Sequence, residues 1–539
     1  MTRVNKLALA NIWVAIISFG VASAMAMMQS LSRASLDLPY RSAKMYYLSV
    51  TAHGTLMALV FTTFFIMGLG YAVATRSLGR PLAHLGVAWT SFWVALVGTV
   101  ATTAAILAGK ATVLYTFYPP LKAHPAFYIG ATLLVVGSWG WCFVMLRTLA
   151  LWRREHPGEL IPLAMHGMAA TIIVWLLATP GVAAEMLFQL IPWSLGLTST
   201  VDPVLARTLF WWFGHPLVYF WILPAYVVWY TILPHAAGGK LFSDPLARMV
   251  FVMFILLSTP VGFHHQFMDP GIPAGWKMFH AFNTMWILFP SFITAFTVIA
   301  SLELAGRARG GTGVFGWLKK LPWGDPLVAS AICAMLLFAV GGFGGAINAG
   351  FSMNAMVHNT AWIPGHFHTT VGSAVALTFM GVSYWLVPRL SGRRLELEPM
   401  AKVQPYLWLL GMILFSIPTH IAGILGMPRR VYDASYGGSA VAESWKVLTG
   451  MSAVGGLILF ASAAFYMLVM VFTAFGTKVE PATMEFAEPL EVPGPRAARF
   501  DNLGRFAILA AILVIVAYGW PIWSHLRMPR FGSPGFTPF

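Results

Sequence analysis

Long apolar runs separated by short polar segments make up almost the whole chain. A helix that crosses a membrane needs about 20 mostly apolar residues, and each run of that length predicts one membrane span. Thirteen such runs have the approximate bounds 8–30, 47–75, 84–108, 126–151, 166–192, 204–233, 246–268, 277–303, 326–349, 355–387, 404–427, 445–475 and 504–526. The pattern predicts an all-α fold, a polytopic membrane helical bundle, which we expect to form one transmembrane domain over residues 1–539.

The basic residues orient this bundle, because positively charged loops stay on the cytoplasmic side of a membrane. Most of the 33 lysines and arginines lie in segments that are inside when the N-terminus is cytoplasmic. We therefore expect a cytoplasmic N-terminus and an external C-terminus. The first apolar run has no convincing small-residue cleavage site, so we expect it to be a retained helix and not a signal peptide.

Composition narrows the class of protein. Hydrophobic residues make up 58% of the chain and charged residues 9%, against about 25% charged residues in a soluble domain. These values exclude a soluble enzyme, a disordered tail and a nucleic-acid reader, although the net charge is +15. Two cysteines, Cys142 and Cys333, exclude a disulfide framework, a cysteine-rich zinc site and an iron–sulfur cluster held by this chain alone.

Histidines inside the predicted spans carry the candidate chemistry, because ionisable groups in a bilayer are costly and functional by default. Several spans place histidines at one depth, near the outer face. The histidines at this depth that also lie in unusual local sequence are His53, His215, His264, His265, His358, His366 and His368. His280 and His420 share that depth, so depth alone does not select metal ligands.

Spacing separates these histidines further. At about 100° per residue, His366 and His368 project to nearly opposite sides of one helix, so they suit two cofactors that flank it. The adjacent His264 and His265 would diverge on a regular helix. Pro260 removes a bond of the helical ladder just before them, which can bring both rings onto one ion.

His215 and Tyr219 are four residues apart and share one face of a helix. Imidazole is a suitable ligand for copper, zinc and iron, and heme iron commonly takes an axial histidine. Two interpretations stay open at this point. A membrane histidine can simply hydrogen-bond to a neighbouring helix, or the cluster can bind metals.

Three segments carry a family resemblance. They read WWFGHPLVY at 211–219, STPVGFHHQF at 258–267 and HNTAWIPGHFH at 358–368. Together with YTFYPPLK at 115–122, they resemble subunit I of the heme-copper oxygen reductases, in particular the B-type (ba3-type) cytochrome c oxidases. Thirteen spans agree with that group.

The resemblance implies a role for each matching residue. His53 and His368 resemble the axial ligands of a low-spin heme, and His366 the proximal ligand of a high-spin heme. His215, His264 and His265 resemble the three ligands of one copper ion. Tyr219 resembles the tyrosine that is covalently tied to the first copper histidine. Arg429 and Arg430 resemble the pair that holds heme propionates, for which bidentate arginine–carboxylate contacts give a physical reason.

The implied function is that of a terminal respiratory oxidase that reduces O2 to water and translocates protons across a prokaryotic cell membrane. The implied cofactors are a low-spin heme of type B, a high-spin heme of type A and one copper ion, although axial histidines bind heme A, B or O alike. The implied partners are a subunit II with a dinuclear copper centre, a small single-helix subunit, membrane lipid, and cytochrome c or a quinol as electron donor; nucleic acid is not among them.

Hydroxyl groups form two stripes that descend from the histidines towards the inner side. Tyr219, Tyr226 and Tyr230 follow helical spacing on span 6. Span 8 carries Ser291, Thr294, Thr297 and Ser301, and Ser243 lies in the inner loop after span 6. Such groups donate and accept protons, and the single proton path of the B-type oxidases occupies these positions. Helix packing by small polar residues is the alternative interpretation.

Two departures and two competing functions complete the sequence analysis. Leu217 replaces the glutamate of A-type oxidases, which argues against their second proton route here. Asn354 replaces an aspartate of B-type relatives, so proton exit can instead depend on His358 and a propionate. A nitric oxide reductase is the alternative enzyme, but Tyr219 argues against it. A cation transporter is the alternative class, and it leaves the opposed His366 and His368 unexplained.

Overall fold

The computed structural model of the chain describes residues 1–36, 42–529 and 532–538. Helical spans dominate it, and we name them α1 to α13 in chain order. They are Arg3–Arg33, Ala43–Ser77, Leu85–Leu107, Pro125–Glu155, Leu163–Ser194, Pro203–Ala236, Asp244–Leu257, Ala274–Ala308, Pro326–Ala349, Trp362–Ser391, Glu398–Ile424, Lys446–Phe475 and Leu503–Arg527. Within the described ranges, all of these except α7 are long and apolar enough to cross a membrane, which makes twelve. The predicted helical membrane bundle is confirmed.

Local sequence explains where many of these helices begin. The side chains of Thr2, Asp202 and Ser243 accept hydrogen bonds from backbone N–H groups of the first turns of α1, α6 and α7. Side-chain oxygens at this position satisfy donors that lack a partner within the helix. Pro125 and Pro203 occupy the first positions of α4 and α6, where the missing N–H costs nothing.

The seventh predicted span differs from the others. The sequence predicts one span over 246–268, but α7 ends at Leu257 and a 3-10 turn, Gly262–Gln266, follows after an irregular link. Pro260 lies in that link and has no N–H for the helical ladder. The predicted disruption by Pro260 is thus present, and it places His264 and His265 on the 3-10 turn instead of a helix.

Smaller irregularities interrupt other spans. Three π turns lie within α2, α5 and α10, at Thr55–Phe61, Met186–Leu190 and Thr370–Val375. The helix at the tenth span starts at Trp362, later than the predicted residue 355, because a short separate helix, Phe351–Val357, precedes it. His358 therefore lies in the link between two helices.

The remaining regular elements are short. Helices Ala440–Glu443 and Pro495–Ala498 and a 3-10 turn, Leu318–Lys320, lie in connections. Two strands, β1 (Thr200–Val201) and β2 (Ser533–Pro534), pair antiparallel.

The main hydrophobic core runs through most of the bundle. The packed neighbours include α3 with α4, α5 with α6, α9 with α10, and α11 with α12. The rings of Trp175 and Phe220 stack at 4.0 Å between α5 and α6. This packing fixes α6 and α10, which carry three of the six candidate ligands, against the centre of the bundle.

A buried network of ion pairs joins helices on the side where α7 begins. Arg248 of α7 donates from Nε to Asp244 at 2.6 Å and from Nη1 to Asp501 at 2.8 Å. Arg153 of α4 pairs with the same Asp501 at 2.6 Å. The network connects α4, α7 and the segment that precedes α13.

Candidate functional site

Three imidazoles from two elements converge at the centre of the site. His215 on α6 and the pair His264 and His265 on the 3-10 turn each offer a ring nitrogen, and these atoms all lie within 4.8 Å of one another. Nδ1 of His215 is 3.2 Å from Nε2 of His265. Two nitrogens bound to one metal ion at about 2.0–2.1 Å lie about 3.3 Å apart, so the cluster fits an ion.

Neighbouring side chains fix the orientation of this cluster. The indole of Trp211 stacks on the His265 ring at 3.6 Å with a 6° interplanar angle. Nδ1 of His264 lies 3.1 Å from the hydroxyl of Thr284 on α8. Partners of this kind orient metal-bound histidines and strengthen their binding.

The phenol of Tyr219 belongs to the same cluster. Its hydroxyl is 3.1 Å from Nε2 of His215, on the ring edge opposite to the nitrogen that faces His265. The helical spacing of four residues thus brings a proton donor next to a candidate ligand. Tyr219 also lines the large cavity that the three histidines border.

His366 and His368 line different cavities, as their spacing predicts. His366 faces the cavity that His215, His264 and Tyr219 also line. His368 faces a second cavity, which it shares with His53 of α2. One helix, α10, therefore presents a candidate ligand to each cavity.

Backbone carbonyls set the proton position on three of these rings. Nδ1 of His53 lies 3.0 Å from Ala22 O, Nδ1 of His366 lies 2.9 Å from Gly341 O, and Nδ1 of His368 lies 2.7 Å from Pro364 O. Since a carbonyl oxygen only accepts, each Nδ1 carries the proton. Each Nε2 then keeps its lone pair for a metal.

His53 and His368 have the geometry of two axial ligands. Their rings are parallel within 3°, and the ring centres are 6.2 Å apart, which is too far for direct stacking. An ion bound at about 2.0 Å to one nitrogen of each ring places two opposed parallel rings about 6 Å apart. The residues present therefore fit a heme between α2 and α10.

Arg429 borders both cavities, and Arg430 borders the one that His53 and His368 line. Arg429 donates to the side-chain oxygen of Asn359 at 2.7 Å, and Arg430 lies over the ring of Tyr115 at 5.2 Å. Neither guanidinium forms an ion pair with a carboxylate among the described residues. Burial, together with the neighbouring Arg430, lowers the pKa of Arg429 to about 10. A bound carboxylate would offset the repulsion between the two guanidinium groups.

The predicted hydroxyl stripes meet in two direct pairs. The hydroxyl of Tyr226 donates to Ser291 at 3.2 Å, and that of Tyr230 donates to Thr294 at 2.7 Å. The hydroxyl of Thr297 donates instead to the backbone of its own helix, and Ser243 caps the start of α7. The structure thus joins α6 to α8 at two levels below Tyr219, and it places Thr297 and Ser243 outside these pairs.

Comparison with known proteins identifies the family. The sequence profile described as "Cytochrome C and Quinol oxidase polypeptide I" matches residues 6–458. The chain is 45% identical to the cytochrome c oxidase subunit 1 of Thermus thermophilus over 88% of its own length and 85% of that protein. It is 28% identical to the cytochrome c oxidase subunit 1 of Synechocystis over 85% of its own length and 80% of that protein.

A solved structure of a heme-copper terminal oxidase dimer superposes with a TM-score of 0.95 at 38% identity, covering 100% of this chain and 95% of the other. The chain belongs to the cytochrome c and quinol oxidase polypeptide I family. It is the catalytic subunit of a terminal respiratory oxidase, a multi-pass membrane protein that reduces O2 with hemes and copper and couples this reaction to proton translocation.

Some residues at this oxidase site carry no signal in the sequence. Arg33, at the end of α1, lines the same cavity as His53 and lies 5.9 Å over the ring of Phe415. Arg207 and Asp269 form an ion pair at 2.9 Å beside the other cavity. A single basic residue at the end of an apolar run is common in membrane proteins, so only the fold reveals these contacts.

Asn354 and His358, for which the sequence analysis considers a role in proton exit, border the cavity of the three clustered histidines. Asn354 donates from its amide to Asn348 O at 2.6 Å and to His264 O at 3.3 Å. His358 lines the same cavity, and burial followed by the Arg429 guanidinium lowers its pKa. The amide of Asn354 thus holds the backbone next to a candidate copper ligand.

Proposed function

We propose that six imidazoles hold the two hemes and the copper of this oxidase. In this assignment His53 and His368 are the axial ligands of the low-spin heme, and His366 is the proximal ligand of the high-spin heme. His215, His264 and His265 bind the copper ion. The observation that carries the proposal is the convergence of these three rings within 4.8 Å on a cavity that His366 also lines.

The bound groups supply electrons to O2, with the low-spin heme as the entry point and the high-spin heme and copper as the site of reduction. The chain contributes orientation, dryness and protons. Tyr219 holds a proton on its hydroxyl 3.1 Å from Nε2 of His215. We assign to it the delivery of that proton, and an electron, to the reacting oxygen.

Protons reach Tyr219 along the paired hydroxyls of α6 and α8 in this proposal. The pairs Tyr226–Ser291 and Tyr230–Thr294 support it, because each joins a donor and an acceptor across the two helices. Thr297 and Ser243 continue the line towards the inner face, with water between them. Tyr226 and Ser291 also border the cavity that contains Tyr219.

We further propose that Arg429 and Arg430 bind heme propionates, since the two basic groups lie side by side without a carboxylate partner in the described chain. The heme types follow the resemblance: type B at the low-spin site and type A at the high-spin site, with one copper ion. We also assign residues 1–539 to one transmembrane domain.

The electron donor is assigned to a second protein chain. Cys142 and Cys333 are both buried and free, so they cannot build a dinuclear copper centre on the outer face. We propose a subunit II that carries this centre and receives electrons from cytochrome c, as the name of the Thermus thermophilus relative suggests. A small single-helix subunit and lipid complete the assembly.

Metal analysis and an optical spectrum of the purified holoenzyme test the assignment. We expect two hemes and one copper per chain. Replacing His53 with leucine should remove the low-spin heme signal and keep the high-spin one, because only one of the two sites loses a ligand. His420→Gln is the matched control, since His420 lies at the same depth and hydrogen-bonds to Ser416 O. Retention of the low-spin signal in the His53 variant would refute the assignment.

A further inference from the structure

The 3-10 turn that carries His264 and His265 lacks the regular ladder of a helix. Because α7 ends at Leu257, the backbone N–H groups of Gly262 and Phe263 have no helical acceptor four residues earlier. Buried N–H groups without a partner are costly. The side chains that accept these two hydrogen bonds therefore help to fix the positions of the candidate copper ligands His264 and His265.

His280 on α8 binds the N–H group of Phe263. Its Nδ1 accepts the hydrogen bond of the Phe263 N–H at 3.2 Å. Its Nε2 lies 3.1 Å from Ala517 O on α13, and since a carbonyl only accepts, Nε2 must carry the proton. Both ring nitrogens of this fully buried histidine are thus occupied, and the ring bridges the turn to α13.

Tyr518 on α13 binds the N–H group of Gly262. Its hydroxyl accepts the hydrogen bond of the Gly262 N–H at 3.0 Å. The Tyr518 ring stacks on Trp212 at 5.3 Å. A Cβ atom at Gly262 would collide with the Tyr518 hydroxyl and the backbone of Trp211, so only glycine permits this contact.

One face of helix α13 packs against the 3-10 turn that carries His264 and His265. Its buried residues after the first turn are Ala510, Val514, Ala517, Tyr518 and Pro521. Their spacing of three and four residues defines one stripe of a helix. Val514, Ala517 and Tyr518 form a separate small core with Phe263. The opposite face of α13 exposes large apolar side chains such as Ile512 and Ile515.

We propose that His280 and Tyr518 are positioning residues for the copper ion, and that α13 is a structural part of the metal site. They bind the N–H groups of the two residues before His264, and so fix the direction in which His264 and His265 project. This inference rests on the proposed copper role of those histidines. Groups that orient metal ligands typically contribute a factor of about 10–100 to metal affinity.

The test compares copper affinity in four variants of the holoenzyme, measured by competition with a copper chelator and normalised to heme iron. His280→Leu removes both bonds and should weaken copper binding about 10- to 100-fold. His280→Gln can still accept at its oxygen and donate from its nitrogen, so it should restore most of the affinity. Tyr518→Phe keeps the ring and loses one hydrogen bond, which should weaken binding about fivefold.

Tyr384→Phe is the matched control, because it removes a buried phenol that donates to Gln404 far from the turn, at 3.1 Å. Equal copper affinity in Tyr518→Phe and the wild type would overturn the inference, as would equal losses in Tyr518→Phe and Tyr384→Phe. If the His280→Leu protein does not accumulate in the membrane, the copper affinities of His280→Gln and Tyr518→Phe test the inference. A wild-type protein without copper would instead refute the proposed function.

Discussion

At the scale of single side chains, the second nitrogen of each imidazole determines what the ring can do. His53, His366 and His368 donate from Nδ1 to backbone carbonyls and present Nε2 to a cavity. His280 uses both nitrogens for hydrogen bonds. Histidines at one depth therefore separate into candidate ligands and supports, a distinction that depth alone does not make.

Tyr219→Phe tests the role of the phenol. We expect heme spectra close to those of the wild type, because the ring and its packing remain. Oxygen consumption should fall by about 100-fold or more, in the range of a lost proton-transfer group. An oxygen electrode measures the rate. Tyr71→Phe is the control, since the buried Tyr71 hydroxyl has no hydrogen-bond partner among the described residues; turnover at the wild-type rate in the Tyr219 variant would contradict the assigned role.

At the scale of elements, irregular helix segments coincide with the candidate ligands. π turns begin two residues after His53 and after His368, and the 3-10 turn contains His264 and His265. Such irregularities frequently mark functional positions in helices. Each of them rotates or shifts side chains relative to a regular helix, so a ring can point into a cavity.

The sequence predicts these elements only in part. Apolar length predicts the spans well, because the bilayer thickness imposes it. Pro260 predicts a disruption of α7 through its missing N–H. The direction of the turn depends on His280 and Tyr518, which contact it from distant parts of the chain. Local sequence patterns contain no information on such contacts. The local pattern likewise does not predict that α10 starts at Trp362.

The hydroxyl pairs between α6 and α8 lead to a second prediction. Thr294→Val breaks the bond from Tyr230 at 2.7 Å while keeping a similar volume. We expect turnover to fall about tenfold or more, since proton delivery would slow. Stopped-flow measurement of proton uptake should show the same loss. Thr171→Val is the control, because the Thr171 hydroxyl donates only to the backbone of its own helix; an equal loss in both variants would point to helix packing alone.

At the scale of the whole molecule, two groups of contacts stabilise the bundle. Apolar packing joins neighbouring helices through the main core. The buried ion pairs of Arg248 with Asp244 and Asp501 connect α7 to the segment before α13. Since α7 leads into the turn with the candidate copper ligands and α13 contacts that turn, the network stabilises the surroundings of those ligands.

Arg248→Leu tests that network. The change leaves Asp244 buried without its partner, and removal of one member of a buried pair costs about 3–5 kcal/mol of unfolding free energy. Thermal denaturation of the holoenzyme should therefore start at a clearly lower temperature. Arg307→Leu breaks an exposed pair with Glu303 and should cost about 0–1 kcal/mol. Similar stabilities of the two variants would contradict the prediction.

The arrangement of His366 and His368 on α10 has a mechanical consequence. A rigid-body movement of this helix displaces both rings together, since one covalent backbone of three residues connects them. With hemes bound at these two rings as proposed, compression or heating of the membrane would change the surroundings of the irons but hardly the separation between them. The proposed heme assignment therefore implies a rate of electron transfer between the irons that is insulated from the elasticity of the surrounding bundle.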